Sequence, residues 1–120
     1  MDKQQIGQQG ESLAATWLVQ KGYTILGYNV RSGRWGELDL VCIEDGDLVF
    51  VEVKTRTDTT FGQPIEAVSL GKRRRLKRAA EYYKMTHPNT PDSMRFDVVT
   101  ILPSDGLAGV KLTLYKNIDS

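Results

Sequence analysis

The order of elements that the sequence predicts, α-β-β-β-α-β-β, indicates an α/β fold with a central mixed β-sheet flanked by α-helices. Two observations lead to this prediction. Apolar residues recur at helical spacing in two segments, 4–21 and 69–86, and short apolar runs typical of strands lie between and after them. At 120 residues, the chain is expected to form one domain, 1–120, with a single modest core.

Residues 4–21 are predicted to form an amphipathic helix that ends at Gly22. The apolar stripe of this helix consists of Ile6, Gly10, Leu13, Ala14, Trp17 and Leu18. Glu11 flanks the stripe, so its side chain can project toward whatever the helix packs on. Residues 23–30 are then predicted to form a strand, and residues 32–36 a loop that leads to the next strand.

Two apolar segments, 38–43 and 48–53, are joined by the dipeptide Asp45-Gly46, which is a strong signal for a hairpin with a two-residue turn. Both faces of the two segments are apolar, which is typical of central strands that are covered on both sides. The turn fixes the register. The predicted cross-strand pairs are Glu44 with Asp47, Leu40 with Val51, Asp39 with Glu52, and Glu37 with Lys54.

This register places the carboxylates of Asp39 and Glu52 opposite each other, where like charges repel. A divalent cation, Mg²⁺ or Mn²⁺, would compensate, because Mg²⁺ takes hard oxygen ligands and is commonly held by one or two carboxylates. Lys54 lies on the same side of its strand as Glu52, where its ammonium could orient or help deprotonate a water, or stabilise charge on a phosphate. The chemistry indicated is metal-dependent hydrolysis of a phosphodiester.

The same residues have a simpler interpretation. An exposed ladder of salt bridges, with Glu37 paired to Lys54 and Asp39 at a strand end, would be common and weakly stabilising. The apolar surroundings weigh against this interpretation, because charges among apolar side chains are costly. On the sequence alone both interpretations stay open.

Residues 55–66 lack periodicity and are rich in Thr and Gly, so we predict a mobile loop that could close over a substrate. Residues 69–86 are predicted to form the second helix, and its buried face consists of Leu76, Ala79, Ala80 and Tyr83. Residues 94–102 and 110–115 are predicted to be strands, the last of them at an edge of the sheet.

The net charge is only +1, but its distribution is uneven, because six of the seven residues 72–78 are basic. Positive charge at a helix start opposes the macrodipole, and an anion such as the nucleic-acid backbone would relieve this. The candidate nucleic-acid contacts are Lys72, Arg73, Arg74 and Arg75, with Arg34 in the loop before the acidic strands and Arg56 in the loop after them. A solvated helix face and an acidic protein partner are the alternatives. Trp35 and Tyr82 could stack on bases.

Other classes of protein are excluded or disfavoured. No segment is long and apolar enough to span a membrane, and the polar start gives no sign of a secretory signal, so residence in the cytoplasm is expected. Cys42 and His87 are each the only residue of their type, which disfavours a zinc site of the usual kind. Cys42 is predicted to serve as a small buried hydrophobe.

Taken together, these residues resemble the YraN family of small bacterial predicted endonucleases, which are relatives of archaeal Holliday junction resolvases in the restriction-endonuclease-like PD-(D/E)xK superfamily. The likeness covers nearly the whole chain. The matching stretches are residues 7–14 (Gly-x-x-Gly-Glu-x-x-Ala), 36–41 (Gly-Glu-Leu-Asp-Leu-Val), 48–54 (Leu-Val-Phe-Val-Glu-Val-Lys), 61–62, 67–68 and 95–98.

The resemblance implies a restriction-endonuclease-like fold and a role for each matching residue. Asp39 corresponds to the first metal-binding acid, Glu52 to the second, Lys54 to the lysine of the motif, and Glu11 to the first-helix acid of the resolvase relatives. It also implies Mg²⁺ or Mn²⁺ as cofactor and DNA as partner, including branched or junction DNA. The proline that names the motif is absent before Asp39, and Glu37 stands where other nucleases of the superfamily need no acid.

Resolvase relatives act as dimers, because two cuts across a symmetric junction need two sites related by a two-fold axis, so a homodimer is a further expectation. Two other functions remain as alternatives to a nuclease. One is a noncatalytic nucleic-acid-binding protein, and the other is a protein-interaction module whose basic helix docks an acidic partner. Magnesium-dependent cleavage would separate the nuclease from both, and salt-sensitive DNA binding without cleavage would separate the two alternatives.

Overall fold

A computed structural model describes residues 3–55, 70–103 and 109–118. Along the chain its elements are α1 (Lys3–Gln20), β1 (Thr24–Arg31), a 3-10 turn (Gly33–Trp35), β2 (Glu37–Glu44), β3 (Asp47–Thr55), α2 (Leu70–Thr86), β4 (Met94–Pro103) and β5 (Val110–Tyr115). The predicted fold class, a central mixed sheet flanked by helices, is confirmed. The predicted mobile loop beyond Thr55, with Arg56, lies outside the described residues.

The five strands form one sheet in the order β1-β2-β3-β4-β5. Neighbouring strands are antiparallel except β3 and β4, which are parallel. A parallel pair needs a long crossover connection, and α2 lies in the chain between these two strands. β5 is at an edge of the sheet, as predicted, and the acidic strands β2 and β3 lie inside it.

The turn between β2 and β3 has the conformation that its sequence favours. Asp45 and Gly46 have φ angles of 53° and 79°, and positive φ at both positions is the mark of a type I′ turn, for which Asp-Gly is a preferred pair. Glu44 then lies opposite Asp47, and four more pairs lead to Leu40 opposite Val51. The predicted register of the hairpin is therefore confirmed over this stretch.

Each helix covers one face of the sheet. The α1-side cluster contains Ala14, Ala15, Leu18, Tyr23, Leu40, Cys42, Val49, Val51, Val99 and Ile101. The α2-side cluster contains Leu38, Val41, Leu48, Phe50, Leu76, Ala79, Ala80 and Tyr83, which confirms the predicted buried face of α2. One part of the predicted α1 stripe is wrong: Leu13 is 39% exposed, and Ala15 is buried in its place. The helix therefore presents a narrower, smaller set of side chains to the sheet.

A buried polar cluster joins the start of β4 to the hairpin. The Asp97 side chain is fully buried, and its carboxylate accepts hydrogen bonds from the Tyr23 hydroxyl at 2.6 Å, from Arg95 Nε at 2.9 Å and from the backbone N–H of Asn117 at 2.9 Å. Arg95 also donates to Glu44 at 2.7 Å. This cluster fixes β4 and the segment after β5 relative to the end of β2.

Two further expectations can be compared with the structure. Cys42 is completely buried, and burial raises the pKa of its thiol to about 12, so the thiol stays protonated and the side chain serves as a small hydrophobe. Among the residues described, no helix has the length and apolar character needed to cross a membrane.

Candidate active site

Close packing between α1 and β3 brings the first-helix acid to the acidic strands. A Cβ atom at Gly10 would lie only 2.6 Å from Thr55 Oγ1, so a larger residue would push the helix away from the end of β3. Glu11 is the next residue and is partly buried there. The prediction that Glu11 points toward the surface on which α1 packs is confirmed.

β2 departs from regular strand geometry at Asp39. Leu38 packs in the α2-side cluster and Leu40 packs in the α1-side cluster, although residues two apart on a regular strand share a face. On the neighbouring β1, Asn29 lies between residues paired with Leu40 and Leu38, and its φ angle is 48°. Positive φ is uncommon for residues other than Gly, and Asn tolerates it best. The backbone is therefore irregular on both strands at the level of Asp39.

The side chain of Asp39 replaces a backbone contact between β2 and β3. Its Oδ2 accepts a hydrogen bond of 2.9 Å from the backbone N–H of Val53. The backbone pairing of the two strands runs from the turn to Leu40 opposite Val51. The two further predicted pairs, Asp39 with Glu52 and Glu37 with Lys54, are not part of this pairing, which corrects the predicted register at the open end of the hairpin.

The residues on either side of Val53 are the other two candidates. Glu52 is buried at 7% exposure, and Lys54 Nζ lies 3.8 Å from Glu52 Oε1. Lys54 is therefore on the same side of β3 as Glu52, as predicted. The burial of Glu52 and the hydrogen bond of Asp39 are not those of an exposed surface ladder, so the structure favours a built site over the simpler interpretation.

The electrostatics of Glu11 show that several acids share this region. Burial raises the pKa of Glu11 above its ordinary value, and the negative charges of Glu37 and Glu52 raise it further, whereas side-chain hydrogen bonds with Asn29 and Asp39 lower it. α1, β2 and β3 each contribute at least one of these acids. The result is a concentrated negative charge at the open end of the hairpin.

Asn29 is the residue that sequence reasoning missed. It lies opposite the irregular position in β2, and its side chain bonds to Glu11. The one available signal was an Asn inside a predicted strand, because Asn is depleted in strands and enriched at positive φ.

The donor set was compared with the needs of a metal ion. Within the part of the chain that the structure describes, no group of three or more His, Cys, Asp or Glu side chains is arranged to hold a metal by itself. Mg²⁺ does not need such a cage, since it is usually bound by one or two carboxylates and keeps waters for substrate phosphates. Asp39 and Glu52 supply hard oxygen donors, and a cation would relieve the repulsion that acts on Glu11. This set fits Mg²⁺ or Mn²⁺ and does not fit a zinc cage.

The basic start of α2 is divided between two roles. Arg74 is exposed, and Arg73 is partly buried. Arg75 Nη1 donates a hydrogen bond of 2.6 Å to the backbone carbonyl of Trp35, so it fastens the loop before β2 to the helix. Gly36 has φ 91°, and a Cβ there would lie 2.9 Å from Arg75 Nη1, so glycine is needed on both counts. The side chain of Lys72 is outside the description.

The aromatic candidates also differ from one another. Trp35 packs against the α2-side cluster, and the exposed Arg34 guanidinium lies 4.7 Å from the centre of its ring. Tyr82 is 37% exposed, and Tyr83 is buried in the core as predicted. Of these rings, Tyr82 is the more open to a stacking partner, and Trp35 already has a cation over its face.

This architecture, a five-stranded mixed sheet with a helix on each face, defines an α/β protein and is consistent with the restriction-endonuclease-like class. The chain belongs to the uncharacterised protein family UPF0102, whose model matches residues 10–101. The expected kinship with the YraN family is confirmed to that extent. The matched region includes Glu11, Asp39, Glu52 and Lys54.

Individual relatives support the same membership. A UPF0102 protein of Syntrophomonas wolfei is 51% identical over 102 residues, which are 85% of this chain and 88% of that protein. A UPF0102 protein of Caldicellulosiruptor bescii is 43% identical over 119 residues, which are 98% of each chain. The likeness therefore extends over almost the full length of both proteins.

Proposed function

We propose that this protein is a metal-dependent endonuclease that hydrolyses phosphodiester bonds in DNA. The observation that carries the proposal is the bond from the Val53 N–H to the Asp39 carboxylate, because it holds this acid at the backbone between Glu52 and Lys54. Two carboxylates and one ammonium at the end of a central hairpin make up a site suited to phosphate chemistry.

Each residue has a distinct part in the proposal. Asp39 and Glu52 hold Mg²⁺ or Mn²⁺, and the bound ion lowers the pKa of a water and offsets the charge of the phosphate. Lys54, 3.8 Å from Glu52, orients the attacking water or stabilises the developing negative charge. Glu11 hydrogen-bonds with Asp39 and so contributes to the orientation of the first acid.

The partner in the proposal is nucleic acid, with DNA placed before RNA. The exposed Arg74 and the partly buried Arg73 lie in the first turns of α2, and Arg34 is exposed in the loop before β2. Lys72 and Arg56 complete the set from the sequence. Lys and Arg that neutralise phosphates supply most of the affinity of proteins for nucleic acids, which favours a polyanionic partner over a solvated face.

Metal binding can be tested without activity. The melting temperature of the wild type should rise with Mg²⁺ or Mn²⁺, because a ligand at a hundred times its dissociation constant adds about 2.7 kcal/mol of stability. Asp39→Asn and Glu52→Gln should lose this response. If the wild type does not respond and both variants are more stable than it with and without metal, Asp39 and Glu52 are not a metal site.

The activity itself is tested with labelled single-stranded, duplex, flap and four-way-junction DNA in the presence of Mg²⁺ or Mn²⁺. Cleavage that needs the metal supports the nuclease. Salt-sensitive binding without cleavage of any substrate would favour a noncatalytic nucleic-acid-binding protein. The mass of the complex with junction DNA, compared with that of the free protein, tests the expected homodimer.

A further inference from the structure

A cavity of about 230 Å³ lies between α2 and the start of β4. Its wall is apolar on one side and basic on the other, which is unusual for a space left by imperfect packing. The residues that matter here are Leu76, Ala80, Phe96 and Ile118 on the apolar side, and Arg73 and Lys77 on the basic side.

Arg73 has a buried donor that faces no acceptor. Its Nε is buried and has no hydrogen-bond partner among the described residues. Buried polar groups are almost always hydrogen-bonded, and a buried donor without a partner is costly, more so when the group is charged. An acceptor that is not part of this chain would satisfy the Nε of Arg73.

The other arginine in the wall does not have this capacity. Arg95 also lines the cavity, but its guanidinium donates to Asp97, to Glu44 and to Asp47. The positive charge available to a ligand therefore comes from Arg73 and from the exposed Lys77. A guanidinium with a nearby ammonium matches a phosphate, since Arg binds phosphate through paired N–H donors and Lys binds it as a point charge.

The cavity also adjoins the candidate active site. A second, smaller cleft is lined by Asp39 and Glu52, and the two spaces share three wall residues, Leu76, Phe96 and Ile118. A ligand that lies across this shared wall is next to the carboxylates. Its anionic end is then at Arg73 and its flat, apolar part is against Phe96.

The size of the cavity selects the ligand further. Pockets for drug-sized ligands are about 300–1,000 Å³, so this cavity has room for one base and not for stacked or paired bases. We propose that it binds a single unstacked nucleotide of the substrate strand, with the base against Leu76 and Phe96 and the phosphate on Arg73. This inference rests on the proposed function and adds a substrate class to it.

The substrate class follows from the cost of removing a base from its stack. Unstacking costs a few kcal/mol in a duplex and least where a base is already single-stranded. A site that takes one unstacked nucleotide next to the carboxylates therefore selects single strands, flaps and frayed ends over intact duplex. Aromatic and apolar contact with the base makes this selection tolerant of sequence.

The test uses deoxyadenosine monophosphate, dAMP, with the full chain. Titration calorimetry should show saturable binding, and the backbone NMR signals of Phe96 and Ile118 should shift on titration. Arg73→Leu should weaken binding by at least about tenfold, which is the effect of losing a hydrogen bond to a charged group. Arg73→Lys, which keeps the charge and lacks the Nε donor, should fall between the two proteins.

Arg78→Leu is the matched control, because Arg78 is an exposed arginine on the same helix and pairs with Glu81 at 4.0 Å. It removes the same charge and should leave dAMP affinity within about twofold. If Arg73→Leu and Arg78→Leu weaken binding equally, or if dAMP fails to bind at millimolar concentration, the proposal is overturned. The melting temperature of each variant establishes that it is folded.

A second arm separates this inference from the proposed function. With a chelator present to prevent cleavage, Arg73→Leu should weaken binding of a flap substrate more than binding of a blunt duplex. Loss of cleavage with intact dAMP binding in a metal-ligand variant supports both proposals. Metal-dependent cleavage by a protein that does not bind dAMP would overturn the cavity assignment and leave the nuclease in place.

Discussion

The carboxylate of Asp39 is hydrogen-bonded to the backbone N–H of Val53, with 2.9 Å between Oδ2 and N. Because Val53 lies between Glu52 and Lys54, this bond fixes the first acid to the strand that carries the other two groups. It also uses one carboxylate oxygen of Asp39, so the second oxygen is the one directed elsewhere. The fold and the candidate site meet at this contact.

The contact predicts different effects for two substitutions of Asp39. Asp39→Ala leaves a partly buried N–H without its acceptor and should destabilise the protein by about 1–3 kcal/mol. Asp39→Asn keeps an oxygen that can accept the same bond, so its cost should be smaller. Denaturant unfolding in the absence of metal measures both. Equal costs for the two variants would mean that the hydrogen bond to Val53 does not contribute.

The exposed base Arg74 should contact phosphate if α2 faces nucleic acid. Arg74→Glu should weaken DNA binding and reduce the slope of log affinity against log salt by about one unit for each lost contact. Arg75 is unsuitable for this experiment, because its hydrogen bond to Trp35 also holds the loop before β2. Affinity measured over a range of salt concentrations gives the slope. A slope equal to that of the wild type would return this face of α2 to the solvent.

The buried Asp97 should be among the most sensitive positions for stability. Asp97→Ala leaves the charge of Arg95 and the hydroxyl of Tyr23 without their acceptor, and breaking a buried pair in this way typically costs about 3–5 kcal/mol. Thermal or denaturant unfolding checks this. A cost below about 1 kcal/mol would show that the cluster is satisfied by water.

Glu44 should make stability depend on pH. Its hydrogen bond with Arg95 lowers its pKa in the folded state below the ordinary 4.5, so its stabilising effect is present above that value and is lost as pH falls through the lowered pKa. Glu44→Gln should therefore cost about 1.5–3 kcal/mol at neutral pH and progressively less in acid. Unfolding of both proteins over the acid range measures the difference. A difference that stays constant or grows in acid would contradict the assigned cause.

Much of the fold follows from local signals. The Asp45-Gly46 turn fixed the hairpin because only a few residues accept positive φ at both turn positions. The buried face of α2 followed from spacing alone, since Leu76 and Tyr83 lie two turns apart on one side of the helix. Leu13 was misjudged because a helical stripe gives a general direction and not the rotation that packing selects.

The site was less accessible to the sequence. Glu11, Asp39, Glu52 and Lys54 could be named by position and resemblance, but the irregular backbone at Asp39 could not, because strand patterns assume strict alternation of faces. Asn29 was missed for the same reason. The partnerless Nε of Arg73 depends on the packing of α2 against β4, which no local pattern encodes.

The most direct measurement of the central claim is DNA cleavage by the wild type, Asp39→Asn, Glu52→Gln and Lys54→Ala, purified in parallel and assayed with Mg²⁺ or Mn²⁺. The account predicts metal-dependent cleavage by the wild type and a loss of about a hundredfold or more in each variant, with DNA binding retained by Lys54→Ala. Cleavage that survives equally in all three variants would come from another enzyme and would contradict the account.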